Sequence, residues 1–330
     1  MGINFSLMAV LTLVLVAFAG VKFMGLQMFF GVVAPYAAMA LFFTGVIWRV
    51  LKWAESPVPF RIPTTAGQQK SLPWIKSNGL DNPSTKAGVI GRMALEILLF
   101  RSLFRNTKLE YREGPRIAYE WEKWLWLASL LFHYSFLVVF VRHLRFFTEP
   151  IPFFVQGLET VDSLFQVGLP TLYLSDLAFI AAVTYLFIRR IVIPQVKYIS
   201  LPADYFPLML IFAIGATGII MRYVTKVDVI SIKQLTMGLV TFHPVIPQGI
   251  GELFFVHVFL VSILFAYFPF SKLMHAPGVF LSPTRNMPND SRIVRHVNPW
   301  NYPVPVHTYA EYEDHFRDKM IEAGLPVEKE

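Results

Sequence analysis

Four histidines lie on or beside two long apolar segments of the chain. His133 and His143 are ten residues apart in the first segment, and His257 and His275 are eighteen apart in the second. Ionisable side chains at membrane depth are costly and usually functional. Neutral imidazole binds haem iron, and two axial histidines leave no open site for a substrate. Four histidines therefore suffice for two haems that transfer electrons, although single membrane histidines also form structural hydrogen bonds between helices.

The elements that must position these histidines are membrane helices. The 330 residues are 55% hydrophobic and only 15% charged, which indicates an integral membrane protein. A helix needs about 20 mostly apolar residues to cross a bilayer. Stretches of that kind predict six transmembrane helices, the fourth of which contains Asp176: residues 2–21, 23–48, 124–141, 168–188, 205–221 and 253–271.

The charged residues predict which way these helices run. The net charge is +7, and 23 Lys and Arg residues fall on one side of the predicted topology against 6 on the other. Basic residues near helix ends mark the cytoplasmic side, so both termini are predicted to be cytoplasmic. Ala17-Phe18-Ala19 resembles a signal cleavage site, but no Lys or Arg occurs among the first ten residues, which favours a retained helix.

In this topology the two histidine-bearing helices are antiparallel. His143 then pairs with His257 near the outer face (the outer pair), and His133 pairs with His275 near the inner face (the inner pair). Ten residues of helix rise about 15 Å and eighteen rise about 27 Å, so straight helices cannot match both pairs. Pro269 predicts a kink or a break in the last helix that would remove the difference.

Composition also excludes several kinds of site. The chain has no cysteine, which rules out disulfides, cysteine-ligated iron–sulfur clusters, zinc fingers, covalent haem attachment and thiol catalysis within this subunit. P-loop, HExxH and Rossmann motifs do not occur, and no catalytic residue is predicted. Any redox cofactor must be held by other ligands.

Two long polar pieces are predicted to face the cytoplasm. In the loop at 49–123, the segment GRMALEILLFRSLFRNTKLEYREG is too charged to span and predicts an interfacial helix. The tail at 277–330 is rich in proline, asparagine and aromatic residues and predicts extended chain, with a short helix near 309–323. Such a tail typically lies along a partner protein.

The histidine spacing resembles the di-haem cytochrome b fold of respiratory nitrate reductase gamma subunits. The segments GRMALEILLFRSLFRNTKLEYREGPR and HVNPWNYPVPVHTY resemble, more closely, the DsrM family, the membrane cytochromes b of DsrMKJOP complexes in sulfur-metabolising microorganisms. The resemblance implies an all-α membrane protein with six transmembrane helices, five of which form the di-haem bundle. Its parts would be an extra helix at 1–26, the di-haem domain at 27–276 and a cytoplasmic partner-binding tail at 277–330.

This resemblance also implies cofactors and partners. Two haems b would be ligated by the outer and inner pairs, and a menaquinone site would lie near the outer haem. The electron partner would be a DsrK-like cytoplasmic iron–sulfur subunit, alongside other DsrMKJOP-type subunits in sulfate reduction or related sulfur metabolism. This chain departs from the family at one position: nitrate reductase gamma subunits have glycine before the outer-haem histidine, whereas this chain has Arg142.

Secondary candidates cluster at the predicted outer ends of the helices. Guanidinium groups there can contact haem propionates or quinone oxygens, or can simply anchor helices at the interface. A carboxyl group inside helix 4 can relay protons or accept a hydrogen bond. The loop at 223–250 can roof a quinone pocket or be solvated. The residues are Arg142, Arg145, Arg222, Asp176, Lys226 and His243.

The leading hypothesis, which rests on this resemblance, is quinol oxidation near the outer face with electrons passing through two haems to a cytoplasmic iron–sulfur partner. The sequence does not fix the direction, and quinone reduction is the alternative. One alternative is a non-redox membrane anchor with structural histidines. A proton-coupled transporter is a further alternative, although the chain shows no two-fold repeat of interrupted helices.

Overall fold

The computed structural model describes residues 2–56, 58, 61–62, 67–114, 116–163, 171–294 and 303–328. Within these residues, five helical segments are long and apolar enough to cross a membrane, as expected of a multi-pass membrane protein. They are Gly2–Met24, Phe29–Ala54, Lys123–Phe146, Pro202–Thr225 and Glu252–Phe270.

The α-helices of these segments are numbered in chain order with the others. The first two are α1 (Gly2–Met24) and α2 (Ala34–Ala54), the latter preceded by a π-helical turn. The remaining helices are α3 (Lys86–Leu99), α4 (Arg101–Phe104), α5 (Lys123–His143), α6 (Phe153–Asp162), α7 (Leu174–Val192), α8 (Pro194–Ile199), α9 (Pro202–Ile219), α10 (Val229–Val240), α11 (Glu252–Tyr267), α12 (His275–Leu281) and α13 (Tyr309–Glu322).

The predicted fourth span corresponds to α7. This helix packs between α5 and α9 in the bundle, but it carries Asp176 near its start and two arginines near its end and is not one of the five strongly apolar segments. The first part of the predicted span, at 168–170, lies outside the described residues. Whether α7 crosses the membrane therefore stays a prediction.

The two histidine-bearing helices belong to different parts of the bundle. The α11 helix packs against α1, α2 and α9, where Phe30, Leu210, Leu235, Phe255 and Leu260 form the most deeply buried core. The α5 helix packs chiefly against α7, which in turn packs against α9. This arrangement leaves α5 and α11 to face each other through their histidine side chains.

The break predicted in the last membrane helix is present. The α11 helix ends at Tyr267, and a 3-10 turn at Phe268–Phe270 leads to extended backbone at Ser271. A proline ring within this turn prevents the regular helical hydrogen bond. Pro269 packs so closely against Gly45 of α2 that a Cβ at Gly45 would lie 2.7 Å from the Cβ of Pro269. The chain then restarts as α12, so His275 is not on the line of α11.

The loop at 49–123 contains a β-hairpin as well as helices. Strands β1 (Thr107–Arg112) and β2 (Arg116–Trp121) pair antiparallel, with Leu109 opposite Tyr119. The all-α prediction did not include this hairpin. Its sequence alternates apolar and polar residues on either side of Glu113-Gly114, a period of two that indicates strands rather than a continued helix.

The loop helix α3 is attached to the membrane helix α5. The indole Nε1 of Trp126 donates to the carbonyl of Leu99 at 2.7 Å, and the hydroxyl of Tyr134 donates to the carbonyl of Leu98 at 2.9 Å. Since both donors belong to a membrane-spanning segment, the end of α3 lies against that segment. The predicted segment is helical only as far as Phe104, and its interfacial position stays a prediction.

The tail begins by packing on this loop of the same chain. The backbone N–H of Asn289 donates to the carbonyl of Pro83 at 2.7 Å, and the amide of Gln69 donates to the hydroxyl of Ser291 at 2.9 Å. Further along, α13 begins at a Thr308 capping box and matches the helix predicted near 309–323. The loop and the first part of the tail therefore form one unit.

Candidate functional site

The outer pair is formed by the end of α5 and the start of α11. His143 is the last residue of α5, and His257 lies in the second turn of α11. Their ring centres are 6.5 Å apart, and the two ring planes are inclined by only 15°. The two imidazoles therefore face each other in a nearly parallel orientation.

The inner pair depends on the break in the last membrane helix. His133 lies in the middle of α5, and His275 is the first residue of α12. Their ring centres are 6.0 Å apart, and the planes are inclined by 80°. Phe100, at the junction of α3 and α4, places its ring edge-on to His133 with centres 4.9 Å apart.

Hydrogen bonds engage the Nδ1 atom of all four histidines. In three of them the partner is a backbone carbonyl one helical turn earlier: Ser129 for His133 at 2.7 Å, Val139 for His143 at 2.7 Å and Lys272 for His275 at 2.8 Å. A carbonyl only accepts, so Nδ1 carries the proton. Nε2 is then the unprotonated nitrogen, which is the form that binds a metal.

In His257 the hydrogen-bond partner of Nδ1 is a side chain, and Nε2 is again the unprotonated nitrogen. Its Nδ1 lies 2.9 Å from the hydroxyl oxygen of Thr217 on α9. That hydroxyl also lies 2.8 Å from the carbonyl of Ala213 and 2.9 Å from that of Ile214, so its single proton is donated to the backbone. The Thr217 oxygen therefore accepts from Nδ1 of His257. A hydrogen bond of this type fixes the ring orientation of a ligating histidine.

The distances within both pairs fit an iron held between two imidazoles. Metal–histidine bonds are about 2.0 Å long, and with about 1.2 Å from each nitrogen to its ring centre the centres lie about 6 Å apart. The observed 6.5 Å and 6.0 Å match this value. The described residues contain no group of three or more His, Asp or Glu able to hold an ion. A pair suffices for haem, because the macrocycle supplies the other four ligands.

The surroundings leave room for a flat macrocycle. His143 and His275 are exposed in the structure, so open space lies beside each of them. At Gly218 of α9, a Cβ would lie 3.4 Å from Cε1 of His257, and the missing side chain keeps that face of the ring clear. Gly215 serves helix packing instead, since a Cβ there would lie 2.4 Å from the Phe179 ring.

A buried ionic network adjoins the outer pair. Arg142 donates to Asp162 and to the Ser175 hydroxyl at 2.9 Å and to Asp176 at 3.1 Å. Asp176 also accepts from the hydroxyl of Tyr223 at 2.8 Å. These contacts join α5, α6, α7 and the end of the Pro202–Thr225 segment. We call these five residues the outer network.

Two other predicted arginines lie nearby. Arg222 donates to the carbonyl of Thr171 at 3.1 Å, and its guanidinium lies 4.1 Å from the centre of the Tyr173 ring. Arg142 lies 3.3 Å from the centre of the same ring. The Nε atoms of both arginines are buried and make no hydrogen bond within the described structure. Arg145 forms a more exposed ion pair with Glu159 at 2.9 Å.

The remaining predicted candidates lie apart from this network. Lys226 follows the π-helical turn after α9 and has a left-handed backbone conformation. Its side chain is exposed, and its amine has no polar partner among the described residues. His243 is exposed as well, and its Nδ1 contacts the carbonyl of Thr241 at 2.7 Å. The structure therefore groups Arg142, Asp176 and Arg222 but does not bring Lys226 or His243 to them.

Five contributors were missed in the sequence: Thr217, Phe100, Asp162, Ser175 and Tyr223. Thr217 and Phe100 contact histidines 40 and 33 positions away. No local pattern marks such contacts, because they depend on how helices rotate against one another. Asp162 carried a weak signal, since it and Glu159 are acidic residues in a mostly apolar stretch that precedes α7.

Comparison with known proteins places this arrangement in a family. The chain is 50% identical over 279 residues to the Hdr-like menaquinol oxidoreductase cytochrome b-like subunit of Archaeoglobus fulgidus, covering 82% of this chain and 83% of the relative. The protein of the same name from Archaeoglobus profundus is 42% identical over 274 residues, covering 81% of both chains. Residues 93–296, which include all four histidines, match the model of the nitrate reductase gamma subunit family. The chain therefore belongs to the nitrate reductase gamma subunit family.

Proposed function

We propose that this chain is the membrane cytochrome b subunit of a menaquinol oxidoreductase complex and carries electrons through two bis-histidine haems b. One observation carries this proposal. Two imidazoles face each other in each histidine pair, with ring centres about 6 Å apart and with the Nδ1 atom of each ring hydrogen-bonded. The names of the two relatives support menaquinol as the electron donor.

In this proposal the four histidines ligate the haem irons, and other groups orient the histidine rings. Nε2 of His143 and His257 would ligate the outer iron, and Nε2 of His133 and His275 the inner iron. When bound in this way, haem b supplies reversible one-electron transfer with no open position for a substrate. Thr217 and the helix carbonyls hold each ring in the ligating tautomer.

The outer network is the proposed wall of the menaquinol site. Asp176 and Tyr223 offer a carboxylate and a hydroxyl to a proton released by quinol oxidation, while Arg142 forms a buried ion pair with Asp176. The unpartnered Nε of Arg222 remains available for a quinone oxygen or a haem propionate. Lys226 and His243 have a minor role in the proposal: they would line the route by which menaquinol reaches the site.

The proposal also includes the orientation of the chain in the membrane and its partner subunits. With six spans and both termini cytoplasmic, the inner pair faces the unit formed by the loop and the tail. That unit would bind a DsrK-like iron–sulfur subunit, with other subunits of a DsrMKJOP-type complex, in dissimilatory sulfur metabolism. The basic residues of the loop and the resemblance of its sequence to the DsrM family support this assignment.

Reduction by a quinol tests this function. The purified full chain, oxidised and kept anaerobic, is mixed with a soluble menaquinol analogue while the b-type absorption bands are recorded. We expect reduction of both haems in the wild type. Asp176→Asn should slow reduction by menaquinol and leave reduction by dithionite unchanged, whereas Glu159→Gln, at the separate Arg145 pair, should behave as wild type.

Two results would refute the proposal. A chain without haem would favour the non-redox membrane anchor. Haems that dithionite reduces but that a menaquinol analogue never reduces would exclude menaquinol oxidation by this subunit.

A further inference from the structure

A buried arginine without a partner lies in the unit formed by the loop and the tail. Arg61 is only 5% exposed. All three of its guanidinium nitrogens are buried and make no hydrogen bond in the described structure. Burial, and then the neighbouring Arg92, lower the pKa of Arg61 to about 10. A buried charge normally needs a counter-charge and hydrogen-bond acceptors.

The nearby carboxylates are already used by other arginines. Asp81 forms ion pairs with Arg101, at 2.9 Å, and with Arg105. Glu96 forms an ion pair with Arg285 at 3.3 Å and accepts from both the backbone N–H and the hydroxyl of Ser102. Among the described residues of this unit, four arginines interact with Asp81 or Glu96, and Arg61 adds a fifth positive charge beside Arg92: the four are Arg92, Arg101, Arg105 and Arg285.

Arg92 shows the same excess of positive charge. It is 6% exposed and donates to the backbone carbonyl of Asp81. Burial lowers its pKa; Glu96 opposes this effect, and Arg285 and Arg101 lower the pKa further. The loop (Arg61 and Arg92) and the tail (Arg285) thus bring like charges together at their junction. An additional anion would relieve the repulsion among them.

A cavity of about 570 Å³ opens beside this junction. Val58, Pro283 and Asn286 are among its lining residues. The backbone N–H of Ile62, next to Arg61, donates to the carbonyl of Pro283 at 3.3 Å, so the residue after Arg61 is hydrogen-bonded to the cavity wall. Trp53, at the end of the membrane helix α2, forms another wall. The cavity therefore lies between the end of a membrane helix and the first part of the tail, close to the backbone of Arg61.

We propose that Arg61, Arg92 and Arg285 form a binding site for a phosphate-type oxyanion at the junction of the loop and the tail. Guanidinium groups bind phosphate oxygens through paired N–H donors, and Arg61 has every donor free. The phosphate can belong to the headgroup of an anionic phospholipid, whose remaining part would occupy the cavity, or it can be free inorganic phosphate.

The test measures the thermal unfolding midpoint of the full chain as purified in a zwitterionic detergent. Inorganic phosphate is titrated against chloride at matched ionic strength, and, separately, phosphatidylglycerol is added against phosphatidylcholine. We expect phosphate or phosphatidylglycerol to raise the midpoint of the wild type. Protection by both identifies free phosphate as a sufficient ligand, and protection by phosphatidylglycerol alone identifies a lipid headgroup.

Variants make the test specific for Arg61. Arg61→Gln should abolish the protection, and without the anion its midpoint should exceed that of the wild type because a buried unpaired charge is gone. Lys70→Gln removes the same charge from an exposed position of the same loop and should keep the protection. Equal protection of Arg61→Gln and wild type would overturn the proposal.

The wild-type titration gives a decision even if Arg61→Gln does not fold. A midpoint that neither phosphate nor phosphatidylglycerol shifts relative to its control would overturn the site.

Discussion

The outer and inner histidine pairs differ in what holds their rings. In the outer pair, a side chain on a third helix, Thr217, orients His257, and a buried ionic network adjoins His143. In the inner pair, backbone carbonyls alone engage Nδ1, and the uncharged rings of Phe100 and Phe132 lie edge-on to His133. The outer pair therefore depends on side chains that substitutions can remove, whereas the inner pair depends on backbone geometry.

The difference suggests a division of roles. Charged and hydroxyl groups near the outer pair suit exchange of protons with a quinol. At the inner pair, the aromatic rings beside His133 suit electron transfer to a partner without proton exchange. Substitutions at the outer pair should therefore act on one haem and leave the other as an internal reference.

The largest effect is expected from Arg142→Gln. Removing this guanidinium leaves the carboxylates of Asp162 and Asp176 buried without a counter-charge, and breaking a buried ion pair costs about 3–5 kcal/mol. The unfolding free energy in mixed detergent micelles should fall by that amount, and the outer haem should be lost first. Arg145→Gln is the matched control, since its more exposed ion pair contributes about 0–1 kcal/mol. Equal losses for the two variants would show that the outer network is not a buried support.

A smaller effect is expected from Thr217→Val. This variant removes the acceptor for Nδ1 of His257, and loss of such a partner typically weakens metal binding about 10–100-fold. Transfer of haem to excess apomyoglobin should become faster for the outer haem alone. Thr217→Ser keeps the hydroxyl and should transfer haem as slowly as wild type. Faster transfer of the inner haem would contradict the separation of the two pairs.

Phe100 allows a milder change at the inner pair. Its φ of 48° is left-handed, which favours glycine, and its ring contacts His133 edge-on. Phe100→Ala loses a contact worth about 0.5–1.5 kcal/mol and keeps the strained backbone. Phe100→Gly loses the same contact but relieves the strain, so its unfolding free energy should exceed that of Phe100→Ala. Both variants should leave the outer haem spectrum unchanged, and a shift of that haem alone would argue against the assignment.

The angle between the imidazole planes differs between the two pairs, and spectroscopy can detect this difference. It is expected to have little effect on stability. Parallel axial imidazoles give a rhombic low-spin ferric signal in electron paramagnetic resonance, and perpendicular ones give a more anisotropic signal with a larger maximum g value. With planes at 15° and 80°, the oxidised protein should show one signal of each type. His143→Ala should remove the rhombic signal. Two signals of the same type would contradict the observed angles.

Much of the arrangement of the pairs follows from the sequence. Antiparallel helices and the spacing of the histidines predict which partners face each other, and Pro269 predicts the break that brings His275 to His133. The capping box at Thr308 locates α13. Each of these features is set by local geometry or by the direction of a helix.

The supporting contacts could not be predicted in the same way. Thr217 meets His257, and Asp162 meets Arg142, only after α9 and α6 take a particular rotation against their neighbours. The hairpin at 107–121 was missed for a different reason. Its alternating pattern was readable, but the preceding apolar run at 91–104 favoured extending a helix through it.

The most direct test of the central claim is the haem b content per chain of single and double histidine variants. We predict two haems in the wild type and one in each of His143→Ala, His257→Ala, His133→Ala and His275→Ala. The double variants His143→Ala/His257→Ala and His133→Ala/His275→Ala should each still retain one haem, while His133→Ala/His257→Ala should retain none. Equal haem loss in all three double variants, or wild-type content in the single variants, would contradict ligation by these two pairs.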